Sequence, residues 1–261
     1  MINFDRDIFF DKVKSDPFDG SLNQDQVDGM NAILEAWEDE PRSDDLRWLA
    51  YALATTAHET GMEMMPIEEY GKGEGMEYGQ VDEETGQTYY GRGYVQTTWR
   101  ENYARADKEL GLMHDLSCEW HAENQLDPGI AAETMFQGMV EGWFRSDEEG
   151  RQTLERYFNE STDDPYGARE IINGDKSKVP SWSGGTSIGN LIKGYHQDFL
   201  AALQAARTEK PEEEEGGVSP EDGEHPPQRQ KVPVVYVRGD ATVKVRGPVV
   251  VILNGKPLNA A

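Results

Sequence analysis

The sequence predicts an α+β fold, predominantly α, followed by a disordered linker and a short β-rich C-terminal tail. Three observations predict it. Up to residue 206, apolar residues recur at helical spacing between recognisable caps. Residues 66–96 lose that period and are rich in Gly and Tyr, which reads as loops and short strands. From residue 232 the chain turns to Val-rich runs broken by Gly and Asn. The expected divisions are a helical domain over 1–206, an acidic Pro/Glu/Gly linker over 207–231 and a small β-rich tail over 232–261.

The first clear helix lies in "NQDQVDGMNAILEAWEDE". Val27, Met30, Ile33, Leu34 and Trp37 share one face, and Asn23 and Gln26 are spaced as a capping box. In "SDDLRWLAYALATTAHETG", Ser43 is the expected N-cap and Gly61 the terminator. Leu46, Leu49, Ala50, Leu53, Ala54 and Ala57 form the apolar face. A helix is expected from about Thr98 to Leu110, closed by Gly111. "DPGIAAETMFQGMVEGWF" opens with Asp127 as cap and Pro128 at the first helical position. "DPYGAREIINGD" repeats that device at Asp164 and Pro165 and stops at Asn173-Gly174. "TSIGNLIKGYHQDFLAALQAA" is a last amphipathic helix. The linker has no apolar period, as a disordered segment would. In the tail, Asn254-Gly255 is a hairpin signal. Thirty residues bury little core alone, so the tail is expected to self-associate or to dock on a partner.

Composition narrows the function classes. With 36 % apolar and 10 % aromatic residues the 261-residue chain can build a packed core. Its one Cys, Cys118, allows no internal disulfide and reads as a small buried hydrophobe, although His114 and His121 are near in sequence. The net charge is −25, nearly all of it before residue 207, which argues against nucleic acid as a partner. The same charge opposes approach to an anionic surface at low salt. The N-terminal stretch lacks the pattern of a signal peptide, and no run of about 18 apolar residues suggests a membrane span. The expectation is synthesis in the cytoplasm, with action outside it only after release. "RGD" at 238–240 reads as a turn.

The candidate chemistry lies in "TTAHETGMEMMPIEEYG", where Glu59, Glu63, Glu68 and Glu69 crowd one short segment. Metal is not predicted. His58-Glu59 starts a zinc-protease pattern, but Met62 stands where the second His should be, so His58 reads as a packed helix residue. "GKGEGMEYG" lacks the strand–loop–helix setting of a phosphate loop, and there is no G-x-S-x-G. No cofactor is expected. Paired carboxylates remain, because glycoside cleavage needs one protonated carboxyl and one ionised carboxylate flanking the scissile bond. Glu59, in the last turn of an apolar helix, meets the helix's negative end and partial burial, both of which favour its protonated form. Glu68 or Glu69 would return on the following loop, after turns at Gly61 and Pro66, while Glu63 reads as exposed. On composition alone, four solvated glutamates remain the alternative.

Three ordered motifs, "AHETG" at 57–61, "YYGRGYVQTTWRENY" at 89–103 and "REIING" at 169–174, resemble glycoside hydrolase family 19. That group comprises plant-type chitinases and phage or prophage endolysins. "PIEEYGKG" following "HET" is most similar to the phage and prophage branch. The resemblance covers roughly residues 5–205 and implies a lysozyme-like, two-lobed domain with a small β-hairpin region. It implies Glu59 as general acid and Glu68 as the second carboxylate, with Glu69 as its rival. Thr98 would help hold the attacking water, since a hydroxyl both donates and accepts. Gln96, Asn102 and Asn173 match substrate-contacting positions. Glu69 and Tyr90 are further substrate-binding candidates. Arg92 is expected to tie the hairpin to an acid, and Tyr90, Tyr94 and Trp99 fit either the groove or the core.

The function this implies is inverting hydrolysis of β-1,4 bonds between N-acetylated sugars of peptidoglycan, as in an endolysin. Chitin is the alternative substrate, and the acidic body favours it because chitin is neutral. A lytic transglycosylase would leave an anhydro sugar instead. A non-catalytic wall-binding or virion structural protein is the alternative of another class, favoured by the tail.

Overall fold

In the computed structural model the described residues are 2–39, 41–111, 121–209, 234–237, 250–253 and 256–257. Cys118, His114, the RGD turn and the linker beyond residue 209 lie outside them. The chain divides into two units, Met1–Glu212 and Glu213–Ala261. The fold class is the expected one: seven α-helices and a few short strands among the described residues.

The central element of the first unit is α3 (Leu46–Glu59). From Leu46 to Ala57 every residue but Arg47 is buried, so this helix is apolar on all sides rather than on the one face expected. It packs on α7 (Ile188–Ala206), which also packs on α1 (Arg6–Ser15). Beside them, α2 (Gln24–Asp39) packs on α5 (Pro128–Glu141). Trp37, Tyr51, Phe136, Phe158 and Phe199 are fully buried where these helices meet. Burial of each such side chain contributes about 1.5–3 kcal/mol.

Local chemistry sets the helix ends. The capping box of α2 forms as predicted: Asn23 Oδ1 accepts from the Gln26 N–H at 2.8 Å, and Gln26 Oε1 from the Asn23 N–H at 2.9 Å. Asp127 caps α5 by accepting from the Gly129 and Ile130 N–H groups. At α3 the cap is Asp45, not Ser43. The Asp45 carboxylate accepts from the Arg47 N–H, and Ser43 Oγ accepts from the Asp45 N–H, both at 3.0 Å. α3 ends at Gly61 (φ +59°) in a Schellman turn, with Met62 N–H to Ala57 O at 2.7 Å and Gly61 N–H to His58 O at 3.3 Å. That turn leaves Glu59 as the last helical residue.

Several elements differ from expectation. α4 spans Arg100–Glu109, two residues later than predicted, because Trp99 takes φ +75° and cannot be helical. The segment from Asp164 forms only a 3-10 turn over Gly167–Ile171. Its two buried apolar side chains, Ala168 and Ile171, are three apart, which suits that tighter repeat. Residues Arg207–Glu209, expected in the linker, form strand β6. It pairs antiparallel with β1 (Ile2–Phe4), in the register Ile2 to Glu209 and Phe4 to Arg207. Ile2 and Phe4 alternate inward, so the partner strand completes the cover of that edge. β1, α1, the hairpin β4 (Ser146–Asp147) and β5 (Gly150–Arg151), and the short α6 (Leu154–Tyr157) are elements that sequence periodicity does not announce.

In the second unit, β7 (Val234–Val237) runs parallel to β8 (Val250–Leu253), which pairs antiparallel with β9 (Lys256–Pro257). Leu253 lies opposite Lys256, the spacing that a two-residue Asn-Gly hairpin requires. No helix among the described residues is long and apolar enough to cross a membrane.

Candidate active site

A cleft of about 550 Å³ opens at the C-terminal end of α3. Three stretches of chain line it. The first supplies Glu59. The second supplies Glu69, from the end of strand β2 (Ile67–Glu68), and Gly91, Gln96, Thr98 and Asn102 from strand β3 (Arg92–Gly93) and its surroundings. The third, much later in sequence, supplies Arg145 and Asn173. Five of the other seven predicted site residues thus share one cleft with the candidate acid: Glu69, Gln96, Thr98, Asn102 and Asn173.

Glu59 is held by a residue that the sequence does not point out. The Arg169 guanidinium, only 2 % exposed, bonds Glu59 Oε1 through Nη1 and Asp175 through Nε at 2.6 Å. One buried cation thus bridges two carboxylates, which are 15 % and 22 % exposed. Burial disfavours the Arg169 charge, but the Glu59 charge and the Asp175 hydrogen bond outweigh it and push its pKa above the ordinary range. For Asp175 burial opposes ionisation, and the Arg169 hydrogen bond and charge hold the carboxyl below its ordinary value all the same. Burial lowers the His58 pKa, so its imidazole is neutral at pH 7. From the sequence, Glu59 meets only the helix's negative end and burial; in the structure it also meets this guanidinium. "REIING" contains Arg169, but nothing in its spacing shows that the side chain turns inward.

Of the two candidates for the second carboxylate, Glu69 lines the cleft and Glu68 does not. Neighbouring residues of a strand point to opposite faces, so Glu68 and Glu69 cannot both face the cleft. Glu68 lies opposite Arg92 in the β2–β3 pair and turns away from the cleft. It accepts from the Tyr90 hydroxyl, pairs with Lys72 Nζ at 2.8 Å and lies 3.6 Å from Arg92 Nε. The Lys72 and Tyr90 hydrogen bonds lower its pKa. Glu69 faces the cleft instead. It accepts from the Gly91 N–H at 3.1 Å and from the Tyr78 hydroxyl at 3.3 Å, and its own N–H donates to Gly91 O at 2.7 Å. Burial and the Glu69 charge together raise the Tyr78 pKa, so the phenol stays a donor.

Gly91 is a close-approach position. A Cβ there would come 2.9 Å from Gln96 Oε1 and 3.4 Å from Thr98 Oγ1, so its absence brings both side chains against the Glu69 support. Thr98 Oγ1 donates to Gln96 O at 2.8 Å, which leaves its lone pairs free to accept from water. Gln96 donates to Ile67 O and Gly93 O, both at 3.2 Å, and Asn102 donates to Thr98 O at 2.8 Å. Gln96 (φ +53°) and Trp99 (φ +75°) hold left-handed backbone conformations that L side chains rarely adopt, both on the cleft wall. Trp99 is 44 % exposed and meets the Tyr78 ring edge to face at 5.2 Å.

Tyr90, expected against substrate, is buried behind the cleft. Its ring packs under the Arg92 guanidinium at 3.7 Å and its hydroxyl holds Glu68. Tyr94 is fully buried and donates to Gly29 O, so it belongs to the core. Arg92 is structural. It is 4 % exposed, donates to Thr88 O and Tyr103 Oη, and faces Glu68. No group of three or more His, Cys, Asp and Glu among the described residues could hold a metal ion.

No family model matches the chain, and no curated protein matches it. Among solved structures it is similar to a bacterial family 19 chitinase, at 20 % identity over 77 % of this chain and 94 % of that one, with a TM-score of 0.46. It is similar to the class IV family 19 chitinase of Zea mays, at 18 % identity over 76 % and 92 %, TM-score 0.46. It is also similar to chitinase C of Streptomyces griseus HUT6037, at 19 % identity over 78 % and 77 %, TM-score 0.47.

Proposed function

We propose that this chain is an inverting glycoside hydrolase that cleaves β-1,4 bonds between N-acetylated sugars of peptidoglycan, acting on the cell wall after release. The observation that carries the reading is the meeting of Glu59 and Glu69 in one cleft, with Thr98, Gln96, Asn102 and Asn173 around them. Glu59 protonates the leaving oxygen. Arg169 already touches that carboxyl, so it stabilises the negative charge as the proton departs, an interaction that strengthens toward the transition state. Glu69, oriented by the Gly91 N–H and the Tyr78 hydroxyl, removes a proton from a water that Thr98 Oγ1 helps to hold. That water attacks the anomeric carbon from the face opposite the leaving group, which inverts its configuration. Asn102 and Asn173 offer amides to sugar hydroxyls and acetamides. In this scheme Glu68 braces the hairpin that carries Glu69.

The test is digestion of purified peptidoglycan and of chitin oligosaccharide by the wild type, Glu59→Gln, Glu68→Gln and Glu69→Gln, with products read by mass. Glu59→Gln and Glu69→Gln should each lose about 10²-fold or more in turnover. Glu68→Gln should stay within about tenfold, on the same scale of effect. Reducing N-acetylated ends from peptidoglycan support the reading, whereas anhydro ends make the chain a transglycosylase. An active Glu69→Gln beside a dead Glu68→Gln returns the base to Glu68. Chitin is the second reading, favoured by the net charge of −25, which repels an anionic wall but not a neutral polymer. Cleavage of chitin alone would establish it. No cleavage of either polymer would point to a binding or structural role.

A further inference from the structure

We infer that Arg145 recognises a carboxylate carried by the bound glycan and so sets the preference for an anionic over a neutral polymer; this rests on the reading of the cleft as a polysaccharide site. Among the described residues that line the cleft, Arg145 is the only basic one. Its guanidinium has a single, shared carboxylate partner among the described residues. Arg145 Nη2 lies 3.3 Å from Glu170, but Lys176 Nζ lies 3.3 Å from the same carboxylate. The two cations share that one anion, so Glu170 does not neutralise Arg145 alone. The Arg145 side chain is 36 % exposed, so its charge is accessible.

Its position gives the charge a target. Arg145 lines the cleft together with Asn173, and the next residue, Gly174, passes over the guanidinium. A Cβ on Gly174 would stand 2.2 Å from Arg145 Nη1. A sugar held at Asn173 therefore has its substituents beside a planar fork of N–H donors. Chitin offers that fork only hydroxyls and acetamides. Peptidoglycan bears stem peptides with free carboxylates on its lactyl groups, and a guanidinium binds a carboxylate through two parallel hydrogen bonds.

The experiment uses the full chain as Glu59→Gln, which should bind without turnover, and two matched probes. One is a soluble N-acetylglucosamine–N-acetylmuramic acid tetrasaccharide with stem peptides in the free-acid form. The other is the same compound with its carboxylates amidated. Calorimetry should show the acid form binding about tenfold more tightly, as one partly exposed charge-assisted pair would give. The preference should vanish in Glu59→Gln/Arg145→Gln, weaken without vanishing in Glu59→Gln/Arg145→Lys, which keeps the charge but not the fork, and shrink with added salt. Equal binding of the two probes overturns the inference without any change at Arg145, so the test survives a variant that fails to fold. A preference that persists in the Arg145→Gln form overturns it as well. Wild-type hydrolysis of peptidoglycan or chitotetraose separates the two failures. Turnover without acid preference removes the role of Arg145 alone, whereas neither turnover nor binding removes the reading of the cleft and the inference with it.

Discussion

Replacing Arg169 with Met tests whether one buried cation holds the candidate acid in place. The guanidinium is 2 % exposed and joins Glu59 to Asp175. Met fills similar space but leaves the largely buried Asp175 carboxylate without its counter-charge. Breaking a buried pair from one side costs about 3–5 kcal/mol, mostly the desolvation of the charge left behind. For a domain of this size 1 kcal/mol shifts Tm by roughly 2–4 °C, so the expected loss is on the order of 6–20 °C at pH 7. The pH dependence should also change sign. In the wild type the folded Asp175 carboxyl sits below its ordinary pKa, so its contribution is present above the ordinary carboxylate range and is lost as pH falls below about 4. In Arg169→Met the pairing is gone and burial remains, so the folded Asp175 carboxyl binds a proton more tightly than the unfolded one. The contribution of this site is then greatest at low pH and is lost as pH rises through the raised value. Thermal melts of both proteins from about pH 3 to 8 measure this. A variant that melts within about 3 °C of the wild type at pH 7, roughly 1 kcal/mol, refutes the reasoning. So does one whose loss relative to the wild type does not grow as pH rises, a difference from which the His196 contribution cancels. Addition of Asp175→Asn should recover part of the loss.

Two more outcomes concern the rest of the first unit. His196 is 2 % exposed and stacked on Phe158 at 5.2 Å, and neither ring nitrogen has a hydrogen-bond partner; the Arg47 backbone lies near it without bonding geometry. Burial lowers its pKa to about 4. Between about pH 6.5 and 4 the unfolded chain therefore binds a proton that the folded chain refuses, and stability should fall by on the order of 3 kcal/mol as pH drops through that window. In His196→Phe, urea melts at pH 7 and pH 5 should lose most of that difference; an unchanged difference rules the His out as its source. Truncation after residue 212 should preserve the melting temperature of the first unit and its activity on soluble oligosaccharide. Truncation after residue 206 removes β6 and uncovers the β1 edge with Ile2 and Phe4, and it should lower stability measurably. Equal melting of the two would show that β6 contributes nothing.

What the sequence discloses and what it hides divide along a physical line. Features carried by neighbours in the chain are legible. The Asn23–Gln26 box, the Asp127 cap and the Gly61 stop each depend on a few adjacent residues, and each forms as read. Features that depend on distant parts of the chain are not. Short strands β1 and β6 carry no periodicity of their own and exist because residues about 205 apart pair. The inward turn of Arg169 depends on Glu59, 110 residues earlier. That α3 is buried on every side depends on how many elements pack around it, which a single apolar face does not reveal.

Glu68 and Glu69 lie between those cases. Their alternation is local, and period-two geometry alone states that only one of them can face the cleft. Which one it is depends on the register of β2 against β3. Glu68 sits opposite Arg92, within reach of Tyr90 and Lys72, and that positive cluster takes its carboxylate. Glu69, one residue on, is left to the Gly91 N–H and to the cleft. A slip of one residue in that two-stranded pair would exchange their faces. The site therefore depends on the hairpin register, which Gln96 secures through its two bonds to Ile67 O and Gly93 O. A residue expected to touch substrate thus also holds the strand pair that decides which glutamate can act.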